Sequence, residues 1–270
     1  MYSKNELRML LTFSEKVAKK AGLILLKEQK KVKIVEQKDL QDIATTADIL
    51  SEKFIINSIQ KKYPEHGIFS EEKGEIKKES NYRWVIDPLD GTKEFIRGIP
   101  LFNVSIILQI EGETVVACVY RPTEDTLYCA AKGLGSFRDG KRIKVSSVKS
   151  LNEAFVYCYL PSFHRQKERY DWAFKILGDI GKQVYRLRAL SDENTALCWL
   201  AQGGIEGYLN LSNPPKWHDV APGLLIAKEA GSVITDANEN KIHSENVASL
   251  VVANNKEIHT SLIKQIKSND

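Results

Sequence analysis

The run Trp84-Val85-Ile86-Asp87-Pro88-Leu89-Asp90-Gly91-Thr92 decides how this chain is read. An apolar strand leads straight into two carboxylates, a proline and a glycine. Strand ends that open into loops are where reactive groups gather. Asp87 and Asp90 are three residues apart, and Pro88 stiffens the turn predicted between them, so both carboxylates can point into one pocket. Two close carboxylates repel, and one must take up a proton unless a cation lies between them. A hard divalent cation such as Mg²⁺ removes the conflict, because it prefers oxygen ligands and keeps part of its shell for water and phosphate oxygens. Gly91 and Thr92 then offer backbone N–H groups at a predicted helix start, a favourable place for phosphate. The plainer account is a structural Asp-Pro turn that caps a helix.

Three further acidic runs flank this one. Ile68-Phe69-Ser70-Glu71-Glu72 is a second strand end with adjacent acids. Asp42-Ile43-Ala44-Thr45-Thr46-Ala47-Asp48 leads into a helix predicted through Phe54, Ile55 and Ile59 and stopped at Pro64. Trp217-His218-Asp219-Val220-Ala221-Pro222-Gly223 opens a helix rich in small residues that ends at Gly231. Taken singly, each run has an ordinary reading as paired surface glutamates or as an N-cap. Around them the pattern predicts a first helix capped by Ser3 and Glu6. Short strands follow at Ile68–Ser70, Trp84–Asp87, Val104–Ile110, Thr114–Tyr120 and Leu127–Ala131, with a hairpin turn at Glu111-Gly112-Glu113. After about Val148, strands and helices alternate. Two layered halves are expected, 1–145 carrying most of the candidate metal ligands and 146–270 carrying Asp219 and the substrate side.

In this order the four runs resemble the inositol monophosphatase family. The resemblance rests on D-x-x-T-x-A-D at 42–48, S-E-E at 70–72, D-P-x-D-G-T at 87–92, and the run around Asp219 followed by Glu229-Ala230-Gly231. It implies an α+β fold, a layered α-β-α-β-α sandwich of the inositol monophosphatase and sugar phosphatase type. It also implies Mg²⁺ dependence with two or three ions per subunit, sensitivity to Li⁺, and a homodimer. Position by position, Glu71, Asp87 and the carbonyl of Leu89 would bind one metal. Asp87, Asp90 and Asp219 would bind a second. Glu71 and Thr92 would orient the attacking water, with Asp48 supporting Thr92. The amides of Gly91 and Thr92 would hold phosphate, with Asp219 beside it on the substrate side. Glu72 is left as a neighbour, and His218 as a surface or packing residue or a hydrogen-bond partner of Asp219.

The substrate signals within that family conflict. Asp42 resembles the inositol monophosphatase and histidinol-phosphatase branches. Lys93-Glu94-Phe95 resembles the bisphosphate nucleotidases, which act on adenosine 3′,5′-bisphosphate. The late helix reads Glu193-Asn194-Thr195-Ala196-Leu197 where the family has a small-residue segment, and Ser212 stands where an acid usually meets an inositol hydroxyl. Inositol monophosphate or a similar polyol phosphate leads, with a bisphosphate nucleotidase or a sugar bisphosphatase as the alternatives.

The bulk properties agree with a small phosphorylated metabolite as partner, and with neither nucleic acid nor membrane. The chain has 270 residues, 43% of them hydrophobic, and a formal net charge of only +4. That charge is too weak to argue for a phosphate-backbone track, and the basic run Lys27, Lys30, Lys31, Lys33 reads as a solvated face. No stretch is apolar enough to span a bilayer, and Met1–Glu6 shows no signal-peptide pattern, so a cytoplasmic protein is expected. Cys118, Cys129, Cys158 and Cys198 form no C-x-x-C pair and read as buried thiols. A haloacid-dehalogenase phosphatase would need its two aspartates two residues apart, not three with a proline between. A scaffold that had abandoned catalysis should have lost acidic ligands, and none looks lost.

Overall fold

The computed structural model describes residues 2–31, 34–37, 43–77, 80–190, 192–242, 247 and 249–269. Asp42 and Lys33, singled out above, lie outside the described residues. The chain divides into two compact units, Met1–Lys141 and Arg142–Asp270.

The first unit opens with α1 (Lys4–Gln29), whose start is the expected capping box. Ser3 Oγ accepts the Glu6 N–H (3.1 Å), and the Glu6 carboxylate accepts the Ser3 N–H (3.4 Å). Leu7, Leu10, Leu11, Val17, Ala18, Ala21 and Leu25 form its buried stripe. A short antiparallel pair follows, β1 (Ile34–Gln37) and β2 (Ile43–Thr45), which the sequence pattern did not signal. Then comes α2 (Thr46–Lys62), where Thr45 and Asp48 form a second capping box. The main sheet is built from β3 (Gly67–Ser70), β4 (Gly74–Lys77), β5 (Tyr82–Asp90), β6 (Asn103–Ile110), β7 (Glu113–Arg121), β8 (Thr126–Ala131), β9 (Gly135–Arg138) and β10 (Lys141–Ile143), with the short helix α3 (Thr92–Ile96) after β5. Its strand order is β10-β9-β8-β7-β6-β5-β3-β4. All pairs described are antiparallel except β3 with β5.

Alternation along the strands separates two faces. Trp84 and Ile86 of β5, Ile106 and Leu108 of β6, and Val116 and Cys118 of β7 join the buried residues of α1 and α2 in one core. At Gly22 the approach is so close that a Cβ would fall 2.5 Å from the Tyr120 ring, so α1 needs glycine there. Val85 and Asp87 alternate onto the opposite face.

The second unit is a three-layer arrangement. Its strands are β11 (Phe155–Tyr159), β12 (Arg186–Ala189), β13 (Gly207–Asn210), β14 (Val233–Thr235) and β15 (Leu250–Ala253), in the order β12-β11-β13-β15-β14. Strands β12, β11 and β13 run parallel, and β15 and β14 extend the sheet antiparallel. Val156, Cys158, Leu209, Val251 and Ala253 pack with α4 (Lys167–Gly181) and α7 (Lys256–Lys267). The alternate residues Tyr208, Leu250 and Val252 pack with α5 (Glu193–Ala201) and α6 (Trp217–Ala230). Gly231 ends α6 at φ +106°, as its C-cap role requires.

Candidate metal-binding and catalytic site

Parallel pairing of β3 with β5 brings the first two acids to one end of the sheet. The register sets Ser70 opposite Ile86, and the Glu71 N–H continues the ladder by donating to the Ile86 carbonyl (3.2 Å). Glu71 therefore stands beside Asp87, one residue past the end of β3. Asp87 is only 2% exposed, so its carboxylate needs compensating charge or hydrogen bonds. One is local, from the Leu89 N–H to Asp87 Oδ1 (3.0 Å).

The expected Pro88 turn is instead a bulged strand. β5 continues through Pro88 to Asp90, and its pairing with β6 shifts register between Asp87↔Ser105 and Asp90↔Asn103. Residues three apart on a regular strand face opposite sides. Here three steps on β5 oppose two on β6, one extra residue, so Asp87 and Asp90 face the same side. Pro88, which has no N–H for the ladder, sits at the bulge, where a strand tolerates it. Leu89 turns the other way into the helix-facing core at 2% exposure and anchors the segment. Asn103 Nδ2 donates to Asp90 Oδ2 (2.8 Å) and orients that carboxylate.

Beyond the bulge, Gly91 adopts φ +89° as the N-cap of α3. A Cβ there would meet the Leu101 carbonyl at 2.6 Å, so both the backbone angle and the space require glycine. Thr92 follows, and its hydroxyl has two acceptors for one proton, the Leu89 carbonyl (3.0 Å) and Asp48 Oδ1 (3.3 Å). Asp48 reaches this point from the first turn of α2 and is 1% exposed. Burial pushes its carboxyl up to about 6, against hydrogen bonds from the Thr45 hydroxyl and amide and from Thr92 that favour the charged form. Above that pH it is a carboxylate that can hold the Thr92 hydroxyl.

Asp219 belongs to the second unit, in the first turn of α6. His218 beside it is buried, and its Nε2 lies 3.2 Å from Asp219 Oδ1. His218 is therefore packed inside the second unit, and its Nε2 approaches Asp219 without the geometry of a hydrogen bond. Ser212 is 4% exposed, and its hydroxyl donates to Gln166 Oε1 (2.7 Å), which ties the loop after β13 to the start of α4.

The donors that the first unit collects at the end of β5 are all hard oxygens: the carboxylates of Glu71, Asp87 and Asp90 and the Leu89 carbonyl. That set fits Mg²⁺ and argues against zinc, which favours nitrogen and sulfur. The sequence reading missed the residues that support the set, Asn103, Ser51 and Glu52. A signal for the last two was present. Asp48, Ser51 and Glu52 follow i, i+3, i+4 spacing, and polar side chains at buried positions of a helix have work to do.

Residues 6–270 match the family model described as the inositol monophosphatase family. A protein of Aquifex aeolicus named fructose-1,6-bisphosphatase/inositol-1-monophosphatase is 37% identical over 255 residues, 93% of each chain. Nus factor SuhB of Vibrio cholerae is 36% identical over 230 residues, 84% of this chain and 85% of that one. Among solved structures, the extragenic suppressor protein suhB of Bartonella henselae superposes with a TM-score of 0.87 at 28% identity, over 96% of this chain and 98% of that one. The chain belongs to the inositol monophosphatase family, and its α+β fold is of that type. Membership supports a phosphatase of that superfamily.

Proposed function

We propose that this protein hydrolyses a small phosphomonoester with Mg²⁺, and that inositol monophosphate or a similar polyol phosphate is its substrate. The observation that carries the reading is the one-residue bulge in β5, which turns Asp87 and Asp90 to one side at the end where Glu71 stands. In this reading Glu71, Asp87 and the Leu89 carbonyl would hold one ion, and Asp87, Asp90 and Asp219 would hold another. When bound, the ions lower the pKa of water, polarise the phosphoryl group and stabilise the leaving oxygen. The chain's own residues do the rest. Thr92 Oγ1, held by Asp48, accepts a hydrogen bond from the attacking water while Glu71 orients it. The Gly91 and Thr92 amides would meet the phosphate oxygens, and Asp219 would serve the substrate side. Ser212, already engaged by Gln166, offers no carboxylate to a substrate hydroxyl, which favours a broad polyol specificity over a narrow one.

The Aquifex relative's name keeps a sugar bisphosphatase open, and Lys93-Glu94-Phe95 keeps a bisphosphate nucleotidase open. Phosphate release from inositol 1-phosphate, fructose 1,6-bisphosphate and adenosine 3′,5′-bisphosphate, each with and without Mg²⁺, separates the three. A preference for either bisphosphate above about a thousandfold, roughly 4 kcal/mol, overturns the polyol reading. Sensitivity to Li⁺ and a homodimer are part of the same reading. Four buried free thiols fit a reducing, cytoplasmic setting. The relatives named Nus factor SuhB favour a second reading, a role that does not depend on turnover. A chain carrying Asp87→Asn that still supports growth where the gene is needed would favour it.

A further inference from the structure

Helix α2 meets the site-bearing segments at three successive points. Asp48 holds Thr92. Ser51 Oγ donates to the Pro88 carbonyl at the bulge (2.9 Å). Glu52 Oε2 lies 3.1 Å from Lys73 Nζ, with Glu52 1% exposed and Lys73 52% exposed. The other oxygen of Glu52 is buried with no hydrogen-bond partner among the described residues. The Lys73 ammonium is therefore what compensates for taking this carboxylate out of water, and opening the pair would strand a buried charge.

Lys73 closes the turn that begins with Glu71. Ser70 pairs with Gly74 across β3 and β4, so the whole turn is Glu71-Glu72-Lys73, and Gly74 at φ +68° lets the chain re-enter the ladder. Glu71 is fixed at its start by the bond to Ile86, and Lys73 is fixed at its end by Glu52. A three-residue turn held at both ends has little freedom left for its first side chain.

We propose that Glu52 and Lys73 are positioning residues that hold the Glu71 turn for metal binding. The proposal rests on the metal reading given above. The probe is Mn²⁺ alone, titrated into the full chain without substrate and followed by electron paramagnetic resonance. Lys73→Met and Glu52→Gln should each weaken Mn²⁺ binding by about tenfold or more, the scale on which residues supporting metal ligands act. The double variant should bind no more weakly than the worse single one, because the two act as one pair. Lys73→Arg should restore binding. Ile59→Val, fully buried in the core face of α2, is the control: it lowers the melting temperature without touching the turn. If Lys73→Met and Glu52→Gln lower the melting temperature as Ile59→Val does and leave Mn²⁺ affinity at the wild-type value, the pair is merely structural and the proposal falls. If Glu52→Gln does not fold, Lys73→Met decides, since its site is half exposed. A wild-type chain that binds no Mn²⁺ overturns the metal reading itself. That outcome is distinct from a wild-type chain that binds Mn²⁺ with an affinity indifferent to residue 73.

Discussion

In the proposed function, Asp87 is the side chain of the first unit on which most depends. It is nearly fully buried, accepts the Leu89 N–H, and shares its side of the sheet with Asp90. Asp87→Asn preserves shape and the acceptor for Leu89 while removing the charge. It should abolish turnover with the far-ultraviolet circular dichroism unchanged. A variant keeping more than about a tenth of kcat, a loss under ~1.4 kcal/mol of barrier, would mean that the charge of Asp87 is not what the reaction uses. At this scale the sequence names candidate residues and not their supports. An aspartate beside a proline at a strand end is visible in one dimension. Asn103 is not, because it reaches Asp90 from the neighbouring strand, and Ser51 announces itself only by its helical spacing from Asp48, not by its partner at Pro88.

Two elements carry tests of their own. The β6–β7 hairpin closes with Ile110 opposite Glu113, so Glu111 and Gly112 form the whole loop, at φ +53° and +80°. This is a type I′ arrangement, which favours Asn-Gly. A glutamate at positive φ is strained by roughly 1 kcal/mol. Glu111→Asn should therefore raise the denaturant midpoint, and a lower midpoint would refute the strain. At the other end of the chain, α7 docks through His259, whose Nε2 lies 2.9 Å from Thr235 Oγ1 of β14. Burial lowers the pKa of this imidazole from 6.5, with Glu239 opposing. Below pH 6.5 the unfolded chain binds a proton that the folded chain resists, so this group's contribution to stability is lost as pH falls through that value. His259→Gln places an amide where the imidazole Nε2 meets Thr235 and removes the titration. Denaturation at pH 5.5 and 7.5 should show a smaller acid-side loss for the variant than for wild type, and equal losses would exclude His259. The turn at 111–112 was legible because turn chemistry is local, whereas the pairing of β1 with β2 was not, since neither strand is long or patterned enough to announce itself.

For the molecule as a whole, the proposed metal binding would be linked to stability. A ligand that binds the folded state alone stabilises it by about 2.7 kcal/mol at a hundredfold excess over Kd. Adding Mg²⁺ to metal-stripped protein should raise the melting temperature of the wild type and leave Asp87→Asn almost unmoved. An equal rise in both would place the Mg²⁺ effect outside this site. Family and fold class were legible at this scale because four acidic runs keep their order along the chain, and order survives in one dimension.

By itself the sequence determined the family, where most helices and strands fall, and how the start of α1 and the end of α6 are capped, and it named the acidic residues on which the proposed function rests. These depend on hydrophobic period, caps and glycine, which act within a few residues. Only the tertiary structure decided that Asp87 and Asp90 share a side, that Glu71 stands beside Asp87, and that α2 braces Thr92, Pro88 and Lys73. The reason is register. A strand's neighbour and a one-residue bulge are set by pairing with distant segments, and a shift of one residue reverses every side chain. The local pattern around Pro88 is compatible with a turn or a bulge, and the pairing of β5 with β6 selects the bulge.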